Sequence, residues 1–141
     1  MRSFLRIFKI LVFVIACNCV YSQDTTVILI DGAETSTPLP IYPYDNYSYS
    51  QSIFPASLIG TDGLIKKIYL KYNGNSSWTQ HFEIYIGHTT KNSFNSGGDW
   101  ISTDDMELVF NGDFSVNTTD GWQEINLTQY FNYNGTDNLV I

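Results

Sequence analysis

The sequence predicts an all-β fold, an antiparallel β-sandwich of jelly-roll type, and three observations carry that expectation. Apolar residues recur at every second position in short runs, Asx-Gly and Gly-Gly pairs punctuate those runs, and the chain after its N-terminal leader has no helical apolar period. Tyr, Phe, Asn, Thr and Ser are abundant while Lys, Glu and Ala are scarce, a bias that suits pleated, half-exposed sheets. A length of 141 residues fits one ordinary domain.

Residues 26–30 form the first expected strand, closed by Asp31-Gly32. Pro38, Pro40 and Pro43 then crowd residues 37–44; such a run cannot feed a central ladder and reads as an extended crossover, with a polyproline ligand as its alternative. Residues 47–54 are the second strand. In residues 64–72, Leu64, Ile68, Leu70 and Tyr72 share one side and Lys67, Tyr69 and Lys71 the other, with Lys66 an exception on the inner side. Phe82, Ile84 and Ile86 alternate with His81, Glu83 and Tyr85. Met106, Leu108 and Phe110 alternate with Glu107 and Val109 in the same way, which places Val109 outward. Ile125 and Leu127 repeat the pattern more weakly, and residues 138–141 close the set of seven. Asp62-Gly63, Asn73-Gly74, Gly97-Gly98, Asn111-Gly112, Asp120-Gly121 and Asn134-Gly135 supply the turns. Because Leu139, Val140 and Ile141 enter an apolar strand with no cap after it, the module is expected to be incomplete at its C-terminus. A short closing edge strand is the alternative.

Residues 1–22 read as an export signal: Arg2, Arg6 and Lys9 precede the apolar run Ile10 to Ala16, and Val20-Tyr21-Ser22 fits cleavage before Gln23. The apolar run is too short to span a bilayer. Val14-Ile15-Ala16-Cys17 also fits a bacterial lipobox, in which Cys17 would carry a lipid anchor. Cleavage at Ser22 removes both cysteines, Cys17 and Cys19, and leaves four basic against 14 acidic residues in the module spanning 23–141. An acidic balance argues against partnership with nucleic acid or an anionic membrane. The expected location is secreted or on the outer cell surface.

Pro43-Tyr44, Tyr47-Ser48-Tyr49-Ser50-Gln51, Ile84-Tyr85-Ile86-Gly87-His88-Thr89-Thr90-Lys91, Asp99-Trp100, Gly121-Trp122 and Phe131-Asn132-Tyr133-Asn134-Gly135-Thr136-Asp137-Asn138-Leu139-Val140 together carry a resemblance. The chain resembles the N-terminal module of large secreted Bacteroidetes surface proteins, which often continue into fibronectin type III repeats and a type IX secretion sorting domain. Such modules are similar to cleaved-adhesin jelly rolls. The resemblance implies an exported, non-catalytic accessory domain and transfers no binding residues.

Site chemistry reads accordingly. His81 and His88 are the only imidazoles, and no Gly-x-Ser-x-Gly, His-Glu-x-x-His or P-loop spacing occurs, so a hydrolase or nucleotide site lacks its usual parts. His88 is expected in a turn after Gly87, capping a backbone group. No cofactor is required; a structural calcium would draw on Asp99, Asp104 and Asp105, or on Asn111, Asp113 and Asp120, where the bland reading is solvated turn carboxylates. Trp78, Trp100 and Trp122 lie in or beside expected turns, and Tyr42, Tyr44, Tyr47 and Tyr49 cluster near the Pro-rich crossover. Most large aromatics of a small domain are core, yet exposed rings stack on sugars or partner residues. The ligand-binding set expected here is Trp100, Tyr44, Tyr47 and Trp122, with Trp100 foremost because acidic and Ser/Thr neighbours surround it. Five Asn-x-Ser/Thr sequons, from Asn46, Asn75, Asn117, Asn126 and Asn134, reflect composition in a bacterial chain. The leading expectation is a surface adhesion module that binds a glycan or a surface protein. The alternative is a structural spacer that presents a downstream domain.

Overall fold

The computed structural model describes residues 47–72, 74–116 and 121–141. The expected leader, Cys17, Cys19, the strand at 26–30, the Pro-rich crossover, Tyr44 and Asp120 lie outside the described residues. What is described is all-β and antiparallel. Strand β1 is Ile53–Phe54, β2 is Gly63–Tyr72, β3 is Trp78–Thr89, β4 is Glu107–Val116, β5 is Gly121–Tyr133 and β6 is Asn138–Val140. A single helical turn, α1 (Ala56–Ile59), follows β1, and one 3-10 turn (Thr103–Asp105) precedes β4. Among the described residues, no helix is long and apolar enough to cross a membrane.

Four strands form one sheet in the order β1-β6-β3-β4, and β2 pairs β5 in a second sheet. The sheets face each other through a shared core, which makes the arrangement a β-sandwich. Ile86, Val109 and Leu139 from the first sheet meet Leu127, Phe131 and Tyr133 from the second. Towards the other end, Phe114 and Val116 meet Ile125, and Trp78, Phe82, Leu70 and Tyr72 pack around them. Burying a side chain the size of Phe131 contributes about 2–3 kcal/mol, so these contacts hold the sheets together.

Alternation in β3 follows the sequence: Phe82, Ile84 and Ile86 face the core while His81 and Glu83 face water. In β4 the expected faces are reversed at one point. Val109 is completely buried and Leu108 is 39% exposed. Ile84 faces Phe110 whereas Tyr85 faces Leu108, so Val109 is an extra residue bulged into the ladder. One extra residue shifts the two-residue period by one and turns both Val109 and Phe110 inward. A larger irregularity separates Ile65, opposite Phe131, from Lys67, opposite Asn126. There β5 passes Leu127, Thr128, Gln129 and Tyr130 opposite the single residue Lys66. Ile65 therefore turns inward, and Leu64, expected inside, is 51% exposed. The Thr128 hydroxyl within this detour donates to the Val109 carbonyl at 3.0 Å, tying the two irregularities together across the sandwich.

Three further expectations change. Asn111-Gly112 is strand interior and not a turn, because Asn111 and Gly112 pair with Glu83 and Phe82. His88 belongs to β3 opposite Leu139, not to a turn. The strand expected over 47–54 contracts to β1, since its partner β6 is only three residues long; Ser52 and Ile141 extend the pairing by two backbone hydrogen bonds. The closing strand, instead of forming an edge, lies between β1 and β3.

Candidate functional site

The long loop 90–106 leaves β3 and returns as β4, and its own side chains shape it. Asp99 accepts the backbone N–H of Asn95 at 2.9 Å and its amide at 3.2 Å, and its other oxygen takes the ammonium of Lys91. The Asn95 backbone bond, then the Lys91 contact, hold the Asp99 carboxyl below the usual carboxylate value. Further on, Ser102 caps the 3-10 turn by accepting the N–H of Asp104 at 3.2 Å. Gly87 lets this segment lie against β3, since a Cβ there would sit 3.0 Å from Met106 Cγ and 3.2 Å from the Asp105 carbonyl.

Trp100 stands in this loop, 49% exposed. Its neighbour Ile101 is held on both backbone sides by the Gln51 side chain. Gln51 also donates to the Tyr49 hydroxyl at 2.6 Å, and the Tyr49 ring meets Trp100 edge-on, centroids 4.8 Å apart at 62°. Phe94 lies at 6.4 Å on a tilt. The indole is thus exposed but framed. A hollow of about 170 Å³ lies between Gln51, Phe94, Asp99 and Trp100. A wider open groove of about 600 Å³ runs from Trp100 past Thr90, Lys91, Ser102 and Asp105 to Asp137.

The groove's far wall is equally fixed. His88 Nε2 accepts the backbone N–H of Asn134 at 3.1 Å, a capping role that the sequence suggested, and its ring stacks on Tyr133 at 5.7 Å and tilts on Phe131 at 4.9 Å. Gly135 takes a left-handed φ of 73° so that the chain can turn, and the Asn134 carboxamide oxygen accepts the N–H groups of Thr136 and Asp137. The Tyr133 hydroxyl donates to the Asp137 carbonyl at 2.6 Å. Asn138 then bridges, accepting the Ala56 N–H and donating to the Lys91 carbonyl.

The expected site residues do not all converge. Trp122 is exposed on β5 opposite Lys71, next to the Tyr72–Gly121 pair. Trp100 belongs to the loop that follows Thr89, at the opposite end of the sandwich. Tyr47 is 93% exposed near the start of the described chain. Gln51 was not foreseen as a site residue, and its only signal was its place in the Tyr-Ser-Tyr-Ser-Gln run. Asp104 and Asp105 sit exposed in the 3-10 turn. Asp113 lies on a strand, its carboxylate 3.0 Å from His81 Nδ1. Among the described residues, no three His, Cys, Asp or Glu side chains gather as a metal-holding group.

The outer sheet faces carry polar ladders. On β3–β4, Thr79 pairs with Ser115, His81 with Asp113 and Asn111, and Asn111 in turn with Glu83. Tyr85 donates to Glu83, which raises its phenol above the ordinary value. On β2–β5, Glu124 accepts from Tyr69 at 2.8 Å, from Lys67 at 3.1 Å and from Asn126 at 2.9 Å. These donors, Tyr69 first, hold the Glu124 carboxyl below its ordinary value. Comparison of the chain with protein-family models, with curated proteins and with solved structures returned no match.

Proposed function

We propose that the chain is a non-catalytic binding module of an exported, surface-exposed protein, and that Trp100 with its groove takes carbohydrate. The carrying observation is an indole left half in water yet fixed by Tyr49, Phe94 and the Gln51 clamp on Ile101. A ring so placed costs little conformational entropy when a pyranose face stacks on it. Thr90, Ser102, Asp105 and Asp137 line the groove beside it with hydroxyl and carboxylate partners for sugar hydroxyls. A loop held by a rigid sandwich is the usual carrier of such a site. No cofactor enters this function.

A glycan array with the wild type, Trp100→Ala and Trp122→Ala tests it. Binding of a glycan class that falls at least about tenfold in Trp100→Ala and persists in Trp122→Ala is the expected result. Silence across the array favours the spacer that presents a neighbouring domain. The address is tested separately: mass spectrometry of exported protein is expected to find Gln23 at the N-terminus, and a lipid-modified Cys17 would replace free secretion by a tethered form.

A further inference from the structure

We infer that the groove beside Trp100 selects an amino sugar, a hexosamine bearing a protonated amine, over neutral and acidic sugars; this rests on the carbohydrate reading of the same groove. Three charged side chains among its lining residues decide the matter. Lys91 is engaged by Asp99 at the groove's edge. Asp105 and Asp137 supply its carboxylates. Asp137 is pre-positioned: its carbonyl accepts from Tyr133, its N–H bonds Asn134, and one carboxylate oxygen takes the Asn134 amide at 2.7 Å. His88 is already engaged at the groove wall, its Nε2 taking the Asn134 backbone N–H at 3.1 Å.

An ammonium group gains in two ways here. It makes charge-assisted hydrogen bonds to the carboxylates, and the face of an indole attracts a cation. The chain's 14 acidic against seven basic residues add a background field of the same sign. A uronate or sulfated sugar would instead set its charge against Asp105 and Asp137. N-acetylation removes the ammonium while leaving the pyranose face to stack, so it isolates the charge from the ring.

Titration calorimetry with three tetrasaccharides, of glucosamine, N-acetylglucosamine and galacturonic acid, tests the selection on wild type, Asp105→Asn, Asp137→Asn and Trp100→Ala. The glucosamine tetramer is expected to bind about tenfold more tightly than its N-acetylated form, to weaken severalfold in either Asn variant and to weaken with salt. Tetragalacturonate is expected not to bind. Equal, Trp100-dependent binding of the two glucosamine forms would overturn amine selection and leave the carbohydrate site standing. Binding of an oligolysine peptide with the same Trp100 dependence, and of no tetrasaccharide, would overturn the sugar itself. Absence of binding by all three tetrasaccharides would overturn amine selection, and the glycan array then decides whether the carbohydrate reading stands. Asp105→Asn changes an exposed side chain, so it remains informative if Asp137→Asn disturbs its turn.

Discussion

The side-chain amide of Gln51 brackets the backbone of Ile101, donating to its carbonyl at 2.7 Å and accepting its N–H at 2.9 Å. Fifty positions separate the two residues, so a single glutamine does for this loop what a neighbouring strand does for a ladder.

Removing the bracket should loosen the loop and the indole together. Gln51→Ala loses both hydrogen bonds to the Ile101 backbone, worth about 1–3 kcal/mol together, along with the contacts to Tyr49 and Met106, and urea unfolding should show that loss. Gln51→Glu keeps the acceptor for the Ile101 N–H but sets a carboxylate against the Ile101 carbonyl. It should be no better than alanine, and glycan binding should fall in both variants. Unchanged stability in both would mean that the loop is held by other contacts.

The bulge in β4 makes a contrast that strict alternation would reverse. Val109→Lys places a charge in the completely buried position and should prevent folding, whereas Leu108→Lys should be tolerated with a small change in Tm. Val109→Ala, a milder probe, should cost about 2 kcal/mol. Circular dichroism melts of the three variants check this; tolerance of Val109→Lys would place the bulge elsewhere.

Both faces of β3 were legible because its partner β4 keeps step with it from Trp78 to Ile84. In β4 the same rule failed at Val109, since a bulge is a mismatch in residue count between two strands and leaves no mark on either sequence alone. Lys66, noted as an odd polar residue on the inner side, was the visible trace of the β2–β5 irregularity. Trp100 was legible from its acidic and hydroxyl neighbours. Gln51 and Tyr49 were not legible as its frame, because pairing across some fifty positions is a product of topology. Clustering alone left Asp99 open as a candidate calcium ligand or a turn cap; in the fold its carboxylate accepts the Asn95 backbone N–H and takes the Lys91 ammonium, contacts that local spacing permits.

His81 gives the fold a pH signature. Its Nδ1 faces Asp113 and its Nε2 faces the Asn111 carboxamide oxygen, both at 3.0 Å, so only the doubly protonated ring donates to both. The hydrogen bond to Asp113 raises its pKa above the ordinary 6.5. A raised folded pKa stabilises most below 6.5, and that contribution is lost as pH rises through the folded value. The Tm of the wild type should therefore exceed that of His81→Ala at about pH 5.5, with the gap closing by about pH 9. A constant gap would assign the effect to packing.

Asp99 should act in the opposite sense. Its folded pKa lies below the ordinary 3.8, so its contribution is present above 3.8 and disappears as pH falls through the lowered value. Asp99→Asn should melt below the wild type near neutral pH and converge with it in strong acid, with or without added calcium. A calcium-dependent gap in Tm would assign the carboxylate to a metal site instead.

The place of β6 between β1 and β3 governs the order in which the molecule can form. Strand β6 bonds β1 on one side and β3 on the other, and Asn138 reaches the Ala56 N–H across 82 positions. Closing loops of that length comes before the reward of pairing, so the first sheet cannot zip in sequence order as β3 and β4 can. A ribosome would have released β1 through β5 before the strand that joins β1 to the sheet is available. Until then Ile53 and Phe54 lack the partners they have in the folded state, and a chaperone or a premature contact with another chain has its opening there.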